Sequence, residues 1–433
     1  MATPRPTPRT DGRQRPRREP VRSPERAYAP SNWKDSRRNT QSVVIVLAII
    51  AALVLGGVFA WTHRSVTVSV DGTHRSYTIG TTVQQVFDEE KPGVTAGNLV
   101  SVNGNLITEG GGDPYSATVD GKAISPSKAK ERGIKGGEDI AFSNGADKTE
   151  DYDETTVDVA PKLLMDGNAG AVSYISQWGK AGKATVRTGK VSGETAQTVT
   201  TPAQDCVVTV KNITPADGRK LVALTFDDGP SDYTERYLQI LKEHGAVATF
   251  FCLGSKVEAS PDLAKEIVDS GCQIASHSYS HPQLTSLDAA GVQSELSTSF
   301  ADISNATSVQ TTAFRPPYGA FNQETWLKTQ GLATVSVIWN MDSRDWARPG
   351  ADAIVSNSCD GIQPGYIILM HDGGGNRDQD LEALPQIIDR LKSEGYTFVT
   401  ISDLLASDSS IPSEVASCDE TMPSDAVWPT EVG

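Results

Sequence analysis

From Leu221 onward the sequence alternates short apolar runs with longer amphipathic stretches, and few folds accept that pattern. The runs are "LVALTF" (221–226), "ATFFCL" (248–253), "QIASHS" (273–278), "TAFRPP" (312–317), "ATVSVIWN" (333–340), "GYIILMH" (365–371) and "YTFVTI" (396–401). Most are continuously apolar at their start, as strands buried on both faces are. Between them lie helical patterns. "YTERYLQILKEHG" ends in Gly, "SPDLAKEIVDSG" opens with Ser-Pro and ends in Gly, and "DLEALPQIIDRLKSEG" behaves alike. Buried strands separated by helices imply βα repeats, hence an α/β fold with a parallel sheet covered on both sides. Seven such units in under half of the chain favour a (β/α) barrel, while periodicity leaves a doubly wound sheet open.

The preceding half is organised differently. At 433 residues the chain is too long for one ordinary core. "VVIVLAIIAALVLGGVFAW", Val43 to Trp61, holds 19 residues without a charge. As a helix it would span roughly 28 Å, close to the hydrocarbon thickness of a bilayer. Eleven Lys/Arg and four Asp/Glu lie in residues 1–38, about +7, against −15 for the whole chain. The rest is therefore about −22. The positive-inside rule then predicts a single-pass anchor at 43–61, a basic disordered cytoplasmic tail over 1–42, and the remainder outside the cell membrane. A cleaved signal peptide is the alternative, but the basic region is too long and the apolar run exceeds the usual length. Beside a spanning helix the basic tail reads as a topology signal and lipid contact, so no nucleic-acid partner is expected.

Residues 66–145 read as short strands. "VTVSV" is followed by the turn Asp71-Gly72 and "RSYTI"; "VQQVFDEE" reads as a short helix, and Asn103-Gly104 as a hairpin. This small β-rich module resembles the ubiquitin-like repeats of Gram-positive cell-surface proteins, which implies a spacer or wall contact. Residues 146–215 are expected to be a linker or second small module, and 409–433 a C-terminal tail. Export permits one or two disulfides among Cys206, Cys252, Cys272, Cys359 and Cys418, with at least one thiol left over.

In parallel βα folds the chemistry sits at the C-terminal ends of the strands. Here those ends carry Asp227-Asp228, His277 and His281, Arg315 and Tyr318, Asp342, Asp345 and Trp346, and His371. Taken singly, each has an ordinary reading. Asp-Asp-Gly-Pro is usually a turn, a His pair can be a polar turn, and a lone His is often a satisfied core residue. Together they gather three of the chain's six histidines on one rim. Two neutral imidazoles and a carboxylate with open positions form a ligand set for a catalytic divalent ion. The H-x-x-x-H spacing would put both imidazoles on one side of a helical turn. One Asp of the first strand would bind the ion and the other act as general base on the attacking water. Arg315 would keep that base ionised. His371 is placed to protonate a leaving group, so the set describes metal-assisted hydrolysis of an acyl or amide bond.

"TFDDGP", "HSYSH", "RPPYG", "DSRDW" and "LMH", in this order, resemble the five motifs of polysaccharide deacetylases of the NodB-homology type, carbohydrate esterase family four. The resemblance covers residues 218–408. It implies a distorted, incomplete (β/α) barrel of about seven strands as the catalytic domain. It implies Asp227 as catalytic base, with Asp228, His277 and His281 as metal ligands. Arg315 would orient Asp227, and the backbone N–H at Tyr318 would stabilise an oxyanion. Asp345, with Asp342 as the alternative, would orient the general acid His371. Tyr318, Trp346 and Leu369 would bind the substrate. The cofactor would be one divalent ion, Zn²⁺ by default, although Co²⁺, Ni²⁺ or Mn²⁺ suit the same ligands.

The expected substrate is an N-acetylated glycan polymer of the envelope, peptidoglycan first, deacetylated at N-acetylglucosamine. An O-acetyl esterase, or a deacetylase of chitin or exopolysaccharide, uses the same motifs. A silent glycan-binding module and an assembly device built on 66–210 are the readings from other classes. The intact ligand set argues against the former.

Overall fold

The computed structural model describes residues 36–433, with side chains from residue 42. The tail expected over 1–42 lies outside the described residues, save for the helical backbone that begins at Ser36. Among the described residues one helix, Ser36–Thr62, contains a stretch long and apolar enough to cross a membrane, Ser42–Thr62. Every side chain of that stretch is exposed. A helix that is apolar all round needs an apolar surrounding, and among the described residues nothing covers this one.

The described chain divides into two compact units, 36–99 with 108–148, and 100–107 with 149–433. The first contains a five-stranded sheet in the order Thr73–Thr78, Ser65–Val70, Asp139–Ser143, Ser116–Val119, Lys122–Ile124. The turn between the first two strands is Asp71-Gly72, both at positive φ (47° and 78°), which suits the twist of a hairpin. Helix Val83–Glu90 starts at a capping box between Thr82 and Gln85 and buries Val83 and Val86 against Val68, Val70 and Ile140.

The second unit is a mixed α/β structure built on a long sheet. Each of the seven apolar runs holds a strand. Met341–Asp342, Ile367–His371, Leu221–Gly229, Thr249–Cys252, Gln273–Ser276, Ala313–Phe314 and Val335–Val337 lie side by side in that order, all parallel. Thr397–Phe398 pairs with Leu221–Val222. Helices Thr234–Glu243, Pro261–Asp269 and Asp378–Ser393 bury Tyr237, Leu241, Ile267, Leu384 and Ile387 with Leu224, Phe226 and Phe250. A second cluster packs Ile401, Leu404 and Leu405 with Ala223, Phe251 and Val335. Each large apolar side chain so buried contributes about 1.5–3 kcal/mol.

The sheet continues beyond Val335–Val337. Val172–Gln177 pairs antiparallel with it, followed by Cys206–Lys211, Lys162–Asp166 and Glu431–Val432. Residues 146–215, expected as a linker or small module, thus contribute three strands to the sheet that carries the rim of polar residues. Val172, Tyr174 and Ile175 are buried there at 1–3% exposure. Three further strands of this segment, Tyr152–Val159, Gly182–Gly189 and Thr195–Thr201, form a separate antiparallel sheet that is largely exposed. In the stretch expected as a tail, Trp428 packs with Leu163, Cys206 and Trp326.

All five cysteines are buried and unpaired. The disulfides that export permits are therefore not formed. Cys252, Cys272 and Cys359 belong to one core cluster, Cys418 to another and Cys206 to a third.

Candidate active site

The ends of six parallel strands, with the loops that follow them, converge on a cleft of about 430 Å³ lined by Asp227, Asp228, His277, His281, Tyr318, Trp339, Asp342, Trp346, Leu369 and His371. Leu221–Gly229 delivers both aspartates. Adjacent residues of a regular strand point to opposite faces. Here the register against Thr249–Cys252 shifts between Asp227 and Gly229, and Asp228 adopts a φ of +68°. That bulge turns Asp228 so that both carboxylates reach the same imidazole: Asp227 Oδ2 and Asp228 Oδ1 each lie 3.7 Å from His277 Nε2. Gly229 follows because a Cβ there would sit 2.3 Å from Asp372 Oδ2.

The histidines do not lie on a helical turn. The strand ends at Ser276, and residues 277–281 form an irregular loop in which Ser278 and His281 have φ near +69° and +66°. Side-chain hydrogen bonds hold this conformation. Ser278 Oγ accepts from His281 N (3.0 Å), and Glu295 on helix Ala289–Thr307 accepts from Tyr279 N and Ser280 N (2.9 and 2.8 Å). Such local bonds let non-glycine residues stay in the left-handed region. The result brings His281 Nε2 to 3.5 Å from Asp228 Oδ1.

Asp228, His277 and His281 therefore offer three ligand atoms within 4.8 Å of one another. Three observations fit a divalent ion. Asp228 Oδ1 is buried without a hydrogen-bond partner. His277 Nδ1 donates to the Arg315 carbonyl (2.8 Å), which leaves the Nε2 lone pair directed at the cluster. Burial lowers the His277 pKa against the pull of Asp227 and Asp228, which favours the neutral ligand form.

Arg315 is fully buried, and each of its three guanidinium nitrogens donates a hydrogen bond. Nη1 donates to Asp227 Oδ1 (2.7 Å) and Thr225 Oγ1 (2.8 Å), Nε to the Val337 carbonyl, and Nη2 to the Ile338 carbonyl. Its guanidinium lies 4.2 Å from the centre of the Phe251 ring. Burial lowers the Arg315 pKa, and the Asp227 charge and hydrogen bond oppose this. A guanidinium stays charged under such opposition, so Asp227 faces a fixed cation.

Across the sheet, His371 is paired in register with Asp227. Its Nδ1 is 2.7 Å from Asp345 Oδ1, and its backbone N donates to Asp345 Oδ2 at 2.7 Å. Asp342 makes no such contact; its Oδ1 accepts from Arg344 N instead. Geometry thus selects Asp345 of the two candidates. Burial alone would lower the His371 pKa, but the Asp345 hydrogen bond and charge, with Asp227 and Asp228, raise it to about 9. Tyr237 Oη donates to the His371 carbonyl (2.9 Å).

Leu369 is buried on the cleft floor, whereas Tyr318 and Trp346 stand at the rim, 68% and 57% exposed. Tyr318 has a φ of +61° and meets the His281 ring edge-on at 4.7 Å. Trp339 lines the cleft but is not among the residues the sequence singles out, although it opens the stretch "WNMDSRDW". Glu295 and Tyr237 support the site from positions that carry no motif, and Thr225, the first residue of "TFDDGP", supports it through Arg315.

The polysaccharide deacetylase family model matches residues 214–335. A peptidoglycan-N-acetylglucosamine deacetylase of Bacillus cereus is 35% identical over 192 residues, which cover 44% of this chain and 90% of that relative. The chain belongs to the polysaccharide deacetylase family. This polysaccharide deacetylase is a hydrolase acting on N-acetyl groups of carbohydrates. A chitooligosaccharide deacetylase of a Bradyrhizobium species is 35% identical over 199 residues, covering 43% of this chain and 91% of the relative. A bifunctional xylanase/deacetylase of Pseudobutyrivibrio xylanivorans is 37% identical over 193 residues, 44% of this deacetylase and 31% of the relative. Residues 214–335, which the family model matches, carry Asp227, Asp228, His277, His281 and Tyr318 of the cleft, and the family is metal-dependent.

Proposed function

We propose that this chain is a membrane-anchored, metal-dependent deacetylase of N-acetylglucosamine units in an envelope polysaccharide, with peptidoglycan as the substrate. The observation that carries the reading is the arrangement of one cleft. A buried carboxylate held by a guanidinium faces a histidine held by a second buried carboxylate, with the Asp228, His277 and His281 cluster beside the first. The exposed apolar helix Ser42–Thr62, preceded by the basic N-terminal residues, supports anchoring with the cleft outside the cell. Peptidoglycan is then the N-acetylated glycan at hand, and the Bacillus cereus relative supports it. The Bradyrhizobium relative supports chitin-type oligomers as the second reading.

Asp228, His277 and His281 would hold the divalent ion, which when bound supplies Lewis-acid polarisation of the acetamide carbonyl and acidifies water. Asp227, held by the Arg315 hydrogen bond, accepts a proton from the attacking water. The hydroxide oxygen adds to the carbonyl carbon, and the backbone N–H at Tyr318 serves the developing oxyanion. Leu369 and Trp346 enclose the acetyl methyl and exclude water. His371 enters protonated, in keeping with its raised pKa. As the C–N bond breaks, its electron pair goes to nitrogen, which takes the His371 proton and leaves as the free amine. Acetate is the other product.

Incubating detergent-solubilised full-length protein with peptidoglycan, chitin oligomers and an O-acetylated glycan, and measuring released acetate, tests this. Chelator-sensitive release from peptidoglycan, lost in Asp227→Asn, is expected. Release from chitin oligomers alone would move the substrate, and release from the O-acetylated glycan alone would overturn the N-deacetylase reading.

A further inference from the structure

Behind the His371–Asp345 pair lies a second pair that the reaction as described does not use. Arg377, 4% exposed, follows the glycine loop Gly373–Gly375, and Asp380, 1% exposed, sits in the first turn of helix Asp378–Ser393. Arg377 Nη1 is 3.6 Å from Asp345 Oδ2 and 3.1 Å from Asp380 Oδ2. Both Asp380 oxygens, with Arg377 Nε and Nη1, nonetheless have no hydrogen bond. A buried ion pair without hydrogen bonds returns little of its desolvation cost and is weak evidence of a stability role. What the pair does is electrostatic. With all four ionised, His371, Asp345, Arg377 and Asp380 form a buried row of alternating sign, which loses one positive charge when the His371 proton leaves.

We propose that Arg377 and Asp380 are positioning residues for the general acid, holding Asp345 behind His371 and setting how readily His371 gives its proton to the leaving amine. Asp345 is shared between two cations. Arg377 draws it away from His371, and Asp380 draws Arg377 away from Asp345. The other charged or titratable groups facing this row are Asp227 and Asp228 beside His371, and Tyr237, which faces Asp345, Arg377 and Asp380 and has Asp372 on its other side. They are the same in every variant below. The inference rests on the reading of His371 as general acid.

The test compares an N-acetylglucosamine oligomer with 4-nitrophenyl acetate, whose leaving phenolate needs no proton. His371→Ala, Arg377→Met, Arg377→Lys, Asp380→Asn and Arg377→Met/Asp380→Leu are measured in the metal-loaded full-length protein. His371→Ala should lower the ratio of amide to aryl-ester turnover by about a hundredfold or more. Arg377→Met should lower that ratio by about tenfold and move the alkaline limb of the amide profile to higher pH, by about one unit. Asp380→Asn should move the same limb to lower pH. Arg377→Lys and the double variant, which restore or remove charge in balance, should return the ratio and the limb toward the parent. If both substrates fall together in the Arg377 and Asp380 variants, or the limbs do not move in opposite directions, the pair is structural and the inference is wrong. Should His371→Ala itself show no selectivity, the general-acid reading falls and takes this inference with it. If Arg377→Met does not fold, the opposite limb shift and ratio in Asp380→Asn and the double variant decide the matter.

Discussion

Asp227 and Asp345 are both buried carboxylates beside a histidine of one cleft, yet they are held differently. Asp227 is gripped by a guanidinium that makes four hydrogen bonds, two of them to main-chain carbonyls of the neighbouring sheet edge. Asp345 gives its oxygens to His371, and its guanidinium stands off at 3.6 Å without a hydrogen bond. The difference follows the task proposed for each. A base that takes up a proton must be returned to its ionised form, which a rigid cation does. A carboxylate that serves an acid must leave its partner free to lose a proton, which a bond shared between two cations allows.

The broadest challenge to this contrast is loss of the ion that both sides would serve. Chelation, or Asp228→Asn, should reduce acetate release to background, with activity returning on adding Zn²⁺ to the chelated parent but not to the variant. Next in size, Asp227→Asn should lower kcat by about 10²–10⁴ while leaving KM near the parent value, read by steady-state acetate release. On the stability side, Arg315→Met leaves Asp227 buried without its cation and should destabilise the fold by about 3–5 kcal/mol in urea titrations. Arg377→Met should cost clearly less at about pH 6, because Asp380, raised to about 7 by burial and by Asp345 against the pull of Arg377, can take up a proton. Equal losses would erase the distinction between the two guanidiniums.

The smallest effect is the pH dependence of the metal-free protein. Its folded His371 titrates at about 9, above the ordinary value of about 6.5. Folding therefore binds that proton more tightly, and the stability it contributes is complete below about 6.5 and lost as pH rises through 9. Burial raises Asp372 to about 7, against its Thr234 hydrogen bond, so its contribution likewise fades between about 4 and 7. The Tm of the metal-free protein should thus be lower at about pH 9.5 than at about pH 6. Asp345→Asn should reduce the upper part of that decline, and a Tm that rises with pH would contradict the assignment.

The residues of the cleft were legible because a parallel sheet places its chemistry at one edge. Asp227, Arg315 and His371 each stand at the end of an apolar run, and the structure brings them to one place. The conformation between them was not legible. Nothing in "SHSYSH" announces two left-handed residues, since their φ depends on Glu295 from a later helix. The bulge at Asp228 is likewise set by the neighbouring strand. Arg377 and Asp380 escaped notice for a different reason. An acidic residue in the first turn of a helix has an ordinary explanation in the helix dipole, and only the fold shows this one turned inward. Residues 146–215 look like a linker or small module because their Gly and Thr content hides short strands, three of which join the sheet beside Val335–Val337.

The five unpaired thiols have a practical meaning for how such a protein reaches its place of work. A chain stapled by disulfides must meet an oxidant before it is finished, and it is weakened wherever reductants prevail. This one has no covalent cross-link to form or to lose. Its interior is equally complete in a reducing or an oxidising medium, and its maturation makes no demand on thiol oxidases.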